Sequence, residues 1–191
     1  MLIKTGISHA PNEKTTALLF ILSALSILQS VWAKPCALPM QQIEVAGIRL
    51  AQPISEFQKQ HPTASVEVLG DDHDRFEFKD GVDDLAKKAG ATYFGHIAFD
   101  SKKQIITSFS ASFLDGALAT YETDLEQFKQ NILQHSHVPQ VGWKAQNNAY
   151  LYSCQDYVIN IIQDHGAVKS AVGPTVMVFS KYSHIWKSIQ K

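Results

Sequence analysis

Residues 105–113 alternate with a period of two. Ile105, Thr107, Phe109, Ala111 and Phe113 take one set of positions, and Ile106, Ser108, Ser110 and Ser112 fill the gaps. A strand sends successive side chains to opposite faces, so this period writes one apolar and one serine-rich face into a single segment. The apolar face needs a cover, and the chain supplies one shortly afterwards. Leu125, Phe128, Ile132 and Leu133 recur at helical spacing, which predicts an amphipathic helix laid over the Phe109/Phe113 face. Thr123-Asp124-Leu125-Glu126 has the arrangement of a capping box, with Thr123 as the capping hydroxyl and Glu126 reaching back. His96-Ile97-Ala98-Phe99-Asp100 reads as the partner strand, with Ser101-Lys102-Lys103-Gln104 as the turn between. The face of Ser108, Ser110 and Ser112 then either meets water, as antiparallel sheets commonly do, or is a surface left open for a partner. These serines are the candidate binding face.

The rest of the chain reads as further hairpins around this unit. Ile43, Val45 and Ile48 mark a short first strand interrupted by Gly47. Ser55-Glu56-Phe57-Gln58 predicts a short helix with Ser55 as N-cap, stopped by His61-Pro62. Val66 and Val68 precede Gly70-Asp71-Asp72-His73-Asp74, and Phe76 and Phe78 follow it, which predicts a hairpin with an acidic turn. Residues 83–89 allow a single helical turn before Gly90. Beyond the long helix, a strand from Trp143 turns at Gln146-Asn147-Asn148 and returns through residues 150–154. Tyr157, Ile159 and Ile161, and later Val176 and Val178, give two more strands, and Tyr182, Ile185, Trp186 and Ile189 are spaced as a short terminal helix. No internal repeat is visible. The pattern predicts an α+β domain: an antiparallel sheet of hairpins, one amphipathic helix packed on a face and one short N-terminal helix.

The domain is expected to occupy residues 34–191, because residues 1–33 have the organisation of a secretory signal. Lys4 and Lys14 lie in a polar lead, residues 17–28 are apolar apart from Ser23 and Ser26, and Val31-Trp32-Ala33 ends the run as a peptidase would read it. The apolar run is shorter than the roughly 20 residues that span a bilayer, so cleavage is expected, with no stable membrane insertion afterwards; retention as an anchor is the alternative. Cys36 follows Ala33-Lys34-Pro35, without the apolar and small residues of a lipoprotein signal. The chain has 2 cysteines, Cys36 and Cys154, and in an oxidising compartment such a pair is expected to form a disulfide. Localisation is therefore read as periplasmic or secreted. A formal net charge of −1 gives no field for nucleic acid, and none is expected as a partner. The charge is uneven, however. Glu67, Asp71, Asp72, Asp74, Glu77, Asp80, Asp83 and Asp84 stand against Arg75 and Lys79, while Lys169, Lys181, Lys187 and Lys191 follow Asp164 with no further acid.

Three clusters invite a chemical reading. Cys154 with Asp164 and His165 has the residue types of thiol catalysis, but those two neighbours would point to opposite faces of a strand. Asp71-Asp72-His73-Asp74 offers oxygen ligands without the spacing of a calcium loop, and reads as a hairpin turn. His135 and His137 are two apart and share no helix face, so a zinc pair would need the helix already unwound; a cationic helix end is the simpler role. No catalytic residue, metal ligand or cofactor is assigned.

Gly47-Ile48-Arg49-Leu50-Ala51, then Ser55-Glu56-Phe57 and Pro62, resembles the opening of small exported bacterial α+β modules of the SmpA/OmlA and β-lactamase-inhibitor-protein type. Ile97 to Ile106, an apolar strand, a lysine-bearing turn and another strand, is similar to their next part. Ala51 stands where those modules prefer glycine. The resemblance implies a helix-on-sheet fold used to bind proteins and supplies no catalytic residue. The expected function is a non-catalytic protein-binding module of the periplasm. An inhibitor or immunity protein against a secreted enzyme or toxin, and a small hydrolase or thiol enzyme using Cys154 or a histidine, are the alternatives.

Overall fold

The computed structural model describes residues 34–70, 73–78, 82–120, 122–163 and 173–189. The expectations placed on residues 1–33, on Asp71 and Asp72, on Asp164 and His165 and on most of the 166–174 connection lie outside them. Around the alternating segment the chain builds an eight-stranded antiparallel sheet in the order β3-β4-β5-β6-β10-β9-β8-β7. Its strands are β3 (Ala64–Val68), β4 (His73–Phe78), β5 (Tyr93–Asp100), β6 (Ile105–Ser112), β7 (Lys144–Gln146), β8 (Ala149–Ser153), β9 (Tyr157–Ile162) and β10 (Thr175–Ser180). Before them, β1 (Glu44–Val45) and β2 (Ile48–Arg49) form a separate two-stranded hairpin. Ala46 and Gly47 at its tip both have positive φ, 54° and 80°. That pair of left-handed residues makes the tight turn whose twist suits a hairpin.

Among the described residues, four α-helices complete the α+β fold: α1 (Ile54–Gln60), α2 (Asp84–Lys88), α3 (Leu125–His135) and α4 (Trp186–Ile189). Apart from α2, the topology is the same unit twice, a helix followed by a four-strand meander. The units α1-β3-β4-β5-β6 and α3-β7-β8-β9-β10 meet antiparallel along their last strands, β6 and β10. The sequence shows no repeat because the fold repeats only the hydropathic period, and many residues satisfy that.

One core lies under the helices. Phe109 and Phe113 share it with Phe128 and Ile132, all fully buried, with Leu125 packed at its margin. The rings of Phe113 and Phe128 are 5.6 Å apart, and in the other half Phe57 of α1 sits 4.6 Å from Phe76 of β4. The expected cover of the Phe109/Phe113 face is therefore present.

The alternation on β6 is not strict, which corrects the expected faces. Ala98 pairs with Ser108 but Phe99 with Ile106, so Thr107 is an extra residue that bulges the strand. An extra residue shifts everything beyond it to the other face. Ile106 consequently joins the core at 0% exposure, whereas Ile105 stands outside it.

Two caps also differ from expectation. Asp124, not Thr123, caps α3: its Oδ1 accepts the Gln127 N–H at 2.8 Å, while the Thr123 hydroxyl accepts the Thr120 N–H. A carboxylate favours a helix N-terminus through both the orphan N–H and the dipole, so it takes the position over the neighbouring hydroxyl. Ser55 does not cap α1, which begins after Pro53 with no side-chain cap bond. Instead Pro53 forms a bridge to Ile105, and the Ile54 N–H donates to the Gln104 carbonyl at 3.0 Å. The helix start is held by the β5–β6 turn.

Cys36 and Cys154 are joined, with Cα atoms 5.0 Å apart and 118 residues between them in sequence. The bond fastens the 34–40 segment to the β8–β9 turn, where the Gln155 N–H donates to the Lys34 carbonyl and the Tyr157 hydroxyl to the Leu38 carbonyl. Neither sheet edge is covered by it. Among the described residues, no helix is long and apolar enough to cross a membrane.

Candidate binding face

The face of the sheet turned away from α1 and α3 can be read across the strands from the register. One row runs Lys144, Leu151, Asn160, Met177, Ser110, His96. A second runs Gln146, Ala149, Ile162, Thr175, Ser112, Tyr93. A third runs Ser153, Val158, Phe179, Ser108, Ala98, Arg75, Glu67. Each row is small where it crosses β6, at Ser110, Ser112 and Ser108, with Thr175 and Ala98 beside them, and larger side chains stand to either side. The result is a floor of hydroxyls between half-exposed Leu151, Ile162 and Met177 on one side and Tyr93, 49% exposed, on the other.

The serines are thus on the expected face, but they are not its exposed surface. Ser108, Ser110 and Ser112 are 1%, 4% and 2% exposed. Short side chains between longer neighbours are shadowed from water, so they must find partners inside the protein. Ser112 Oγ meets Thr175 Oγ1 at 2.9 Å across the β6–β10 seam. Ser110 Oγ accepts the His96 N–H at 3.1 Å, satisfying a backbone group that the bulge at Gly95 takes out of the ladder. Gly95 is required there, because a Cβ would stand 2.6 Å from Ser110 Oγ. Ser108 Oγ is buried without a protein partner.

The Gly95 bulge also opens the sheet. The β4–β5 ladder ends at Phe76–Ile97, and beyond it the strands diverge around a cavity of 370 Å³. Phe78 and Phe94, with rings 5.3 Å apart, lie at this cleft, and Arg75, Glu77, Tyr93 and His96 line it. On the same face His184 and Ile185 come down beside Ala98 and Ser108 and bound a second cavity of 260 Å³.

Charge on this face is largely neutralised from within. Arg75 is bonded to Glu67 and, at 2.9 Å, to Glu77. His96 stacks on Phe179 with ring centroids 5.7 Å apart. Burial, then the nearness of His184 and Arg75, pull its pKa down to about 4, so it is a neutral imidazole at pH 7.

The residues that carry chemistry in the sequence are not gathered here. Cys154 is 2% exposed and held in the disulfide, so it offers no thiol. Asp74 accepts the Leu69 N–H and closes the β3–β4 turn. His135 Nδ1 lies 2.9 Å from the Asn131 carbonyl one turn back, while His137 is beyond the helix and pairs through its backbone with Glu44. Among the described residues, no group of three or more metal-ligating side chains occurs.

One polar pair escapes sequence reading altogether. His61 Nδ1 lies 2.5 Å from Asp83 Oδ2, with the imidazole fully buried. The other carboxylate oxygen accepts the Ala86 N–H and caps α2. The ring packs 4.5 Å from that of Phe57 and edge-on to Phe78, and Nε2 has no partner. The pair fastens the end of α1 to the start of α2. In sequence, His61 is visible only as the residue before a helix-stopping proline.

No family model matches the chain, and no curated protein or solved structure matches it significantly.

Proposed function

We propose that this chain is an exported, non-catalytic protein-binding module that docks its partner on the sheet face opposite the helices. The observation that carries the reading is the cross-strand pattern of that face. Half-exposed Leu151, Ile162 and Met177 and the exposed ring of Tyr93 flank a floor of buried small residues. A face meant only for water has no need of that arrangement. Contiguous apolar and aromatic side chains around a recessed centre, with charge paired off, are what a protein interface presents. The bulge at Gly95, the Ser110 bond and the disulfide all make the face rigid, which lowers the entropy cost of docking.

Export is the second part of the proposal. It rests on the signal-like organisation of residues 1–33 and agrees with a Cys36–Cys154 bond that needs an oxidising compartment. A photo-crosslinking side chain placed at Met177 or Leu151 in the producing cell tests the function. Both positions should capture the same partner, and Gln58, exposed on α1, should not. Capture from Gln58 but from neither sheet position would move the interface to the helices. Cell fractionation with intact-mass measurement tests export: the protein should be periplasmic or secreted and lack residues 1–33.

A further inference from the structure

The two edges of the sheet are not alike. β7 is three exposed residues and carries Lys144. At the other end β3 is five residues long, contains no proline, lysine or arginine, and pairs with β4 without a bulge. Among the described residues, no strand pairs with its outer edge. Open edges are usually blunted by shortness, bulges, proline or charged side chains, lysine above all, and on β3 only Glu67 is of this kind. Two of its side chains toward the helix layer are also left uncovered. Phe57 of α1 packs over Phe76 of β4, while Val66 is 44% exposed and Val68 77%.

We propose that the outer edge of β3 takes an extended segment of another protein as an added antiparallel strand, and that this segment alternates apolar and basic residues. The alternation follows from the two faces of β3. On the helix side an added strand meets Ala64, Val66 and Val68, so every second residue of the guest is apolar. On the other side it meets Ser65 and Glu67, with Glu77 one strand further in. In the described part of the β3–β4 hairpin Glu67, Asp74 and Glu77 stand against Arg75 alone, which is tied between Glu67 and Glu77, so a net negative charge remains beside the edge. A guest with lysine or arginine at the intervening positions is attracted. A second copy of this chain would bring two acidic hairpins together and is repelled. The backbone ladder supplies affinity and the alternating side chains supply selectivity. This edge is a different surface from the Met177 face and does not depend on that face binding anything.

The test is a titration of the isotope-labelled protein, followed by amide shifts and amide exchange. The probe is a short blocked peptide alternating lysine with valine, and its counterpart has glutamate for lysine. The lysine peptide should shift and protect amides of residues 64–69, more weakly as salt is raised, and the glutamate peptide should not. Glu67→Lys should weaken the lysine peptide about two- to five-fold, the range of one cross-strand charge pair. Val68→Lys, at an exposed position that leaves the core intact, should abolish binding. The proposal is overturned if both peptides bind alike, if shifts map to Met177 and Leu151 instead, if none appear at millimolar peptide, or if the protein alone dimerises through β3. Crosslinks from Met177 would survive all of these outcomes, so the two readings fail separately.

Discussion

His96 makes folding sensitive to acid in a defined window. Its imidazole is driven to about pH 4 by burial, with His184 and Arg75 facing it, whereas in the unfolded chain it titrates near its ordinary value of 6.5. The depressed value favours the neutral ring in the folded state. Above pH 6.5 neither state holds the proton, and the contribution is fully present. As pH falls from 6.5 towards 4 the unfolded chain takes up a proton that the folded chain refuses, and stability drops. The drop is on the order of 3 kcal/mol. Urea unfolding of the protein and His96→Gln at pH 7.5 and 4.5 checks this: the difference between them should shrink or reverse at the lower pH. At the neighbouring position Ser110→Ala should cost about 1–3 kcal/mol, since it takes the acceptor from the part-buried His96 N–H. Phe109→Ala should cost about 3–5 kcal/mol by opening a cavity in the core. Denaturant midpoints of the two variants decide it; a serine lying open to water would change stability by less than about 0.5 kcal/mol.

At the scale of elements, the caps give the sharper contrasts. Asp124→Ala should lower stability by about 1 kcal/mol through loss of the α3 cap, and Ser55→Ala, at an exposed position with no cap bond, should change little. Asp83→Ala should cost more than Asp124→Ala, because it removes the α2 cap and also orphans the buried imidazole of His61. Thermal unfolding of the three variants side by side ranks them. The helices and strands were themselves legible in sequence wherever one period ran cleanly, as in α3 and in β9. The caps were not, because Thr123 and Asp124, or Pro53 and Ser55, are all chemically able to begin a helix. Which one does so depends on where the preceding loop delivers the chain.

For the whole molecule, the disulfide is a covalent restraint between residues 118 apart in sequence. Reduction of Cys36–Cys154 should lower stability by at most about 4–5 kcal/mol for so long a loop, and the unfolding midpoint with it, without loss of the sheet. Circular dichroism with and without reductant checks both halves of that statement, and Cys36→Ala should behave like the reduced protein. Most of the core is built under α1 and α3, and the 34–40 segment adds only Met40 to it, with Cys36 and Leu38 at its margin, so the fold is expected to outlast the bond.

What the sequence determined alone was everything that a local period or a pair of residue types can carry. The α+β class, the helix-covered Phe109/Phe113 face and the pairing of the only two cysteines were all of this kind. Local periodicity works because a side chain's direction follows from its neighbours on the same element. Tertiary structure decided which strands adjoin, and so which residues share a face. Nothing in the order of the chain announces that β10 lies beside β6 and sets Met177 next to Ser110. The bulges at Gly95 and Thr107 shifted parity by one residue each, the second moving Ile106 into the core, while longer side chains of adjoining strands enclosed serines that alternation alone would leave in water. Those shifts reflect the fit between neighbouring strands and the backbone groups left over where the fit fails, and both exist only once the strands have met.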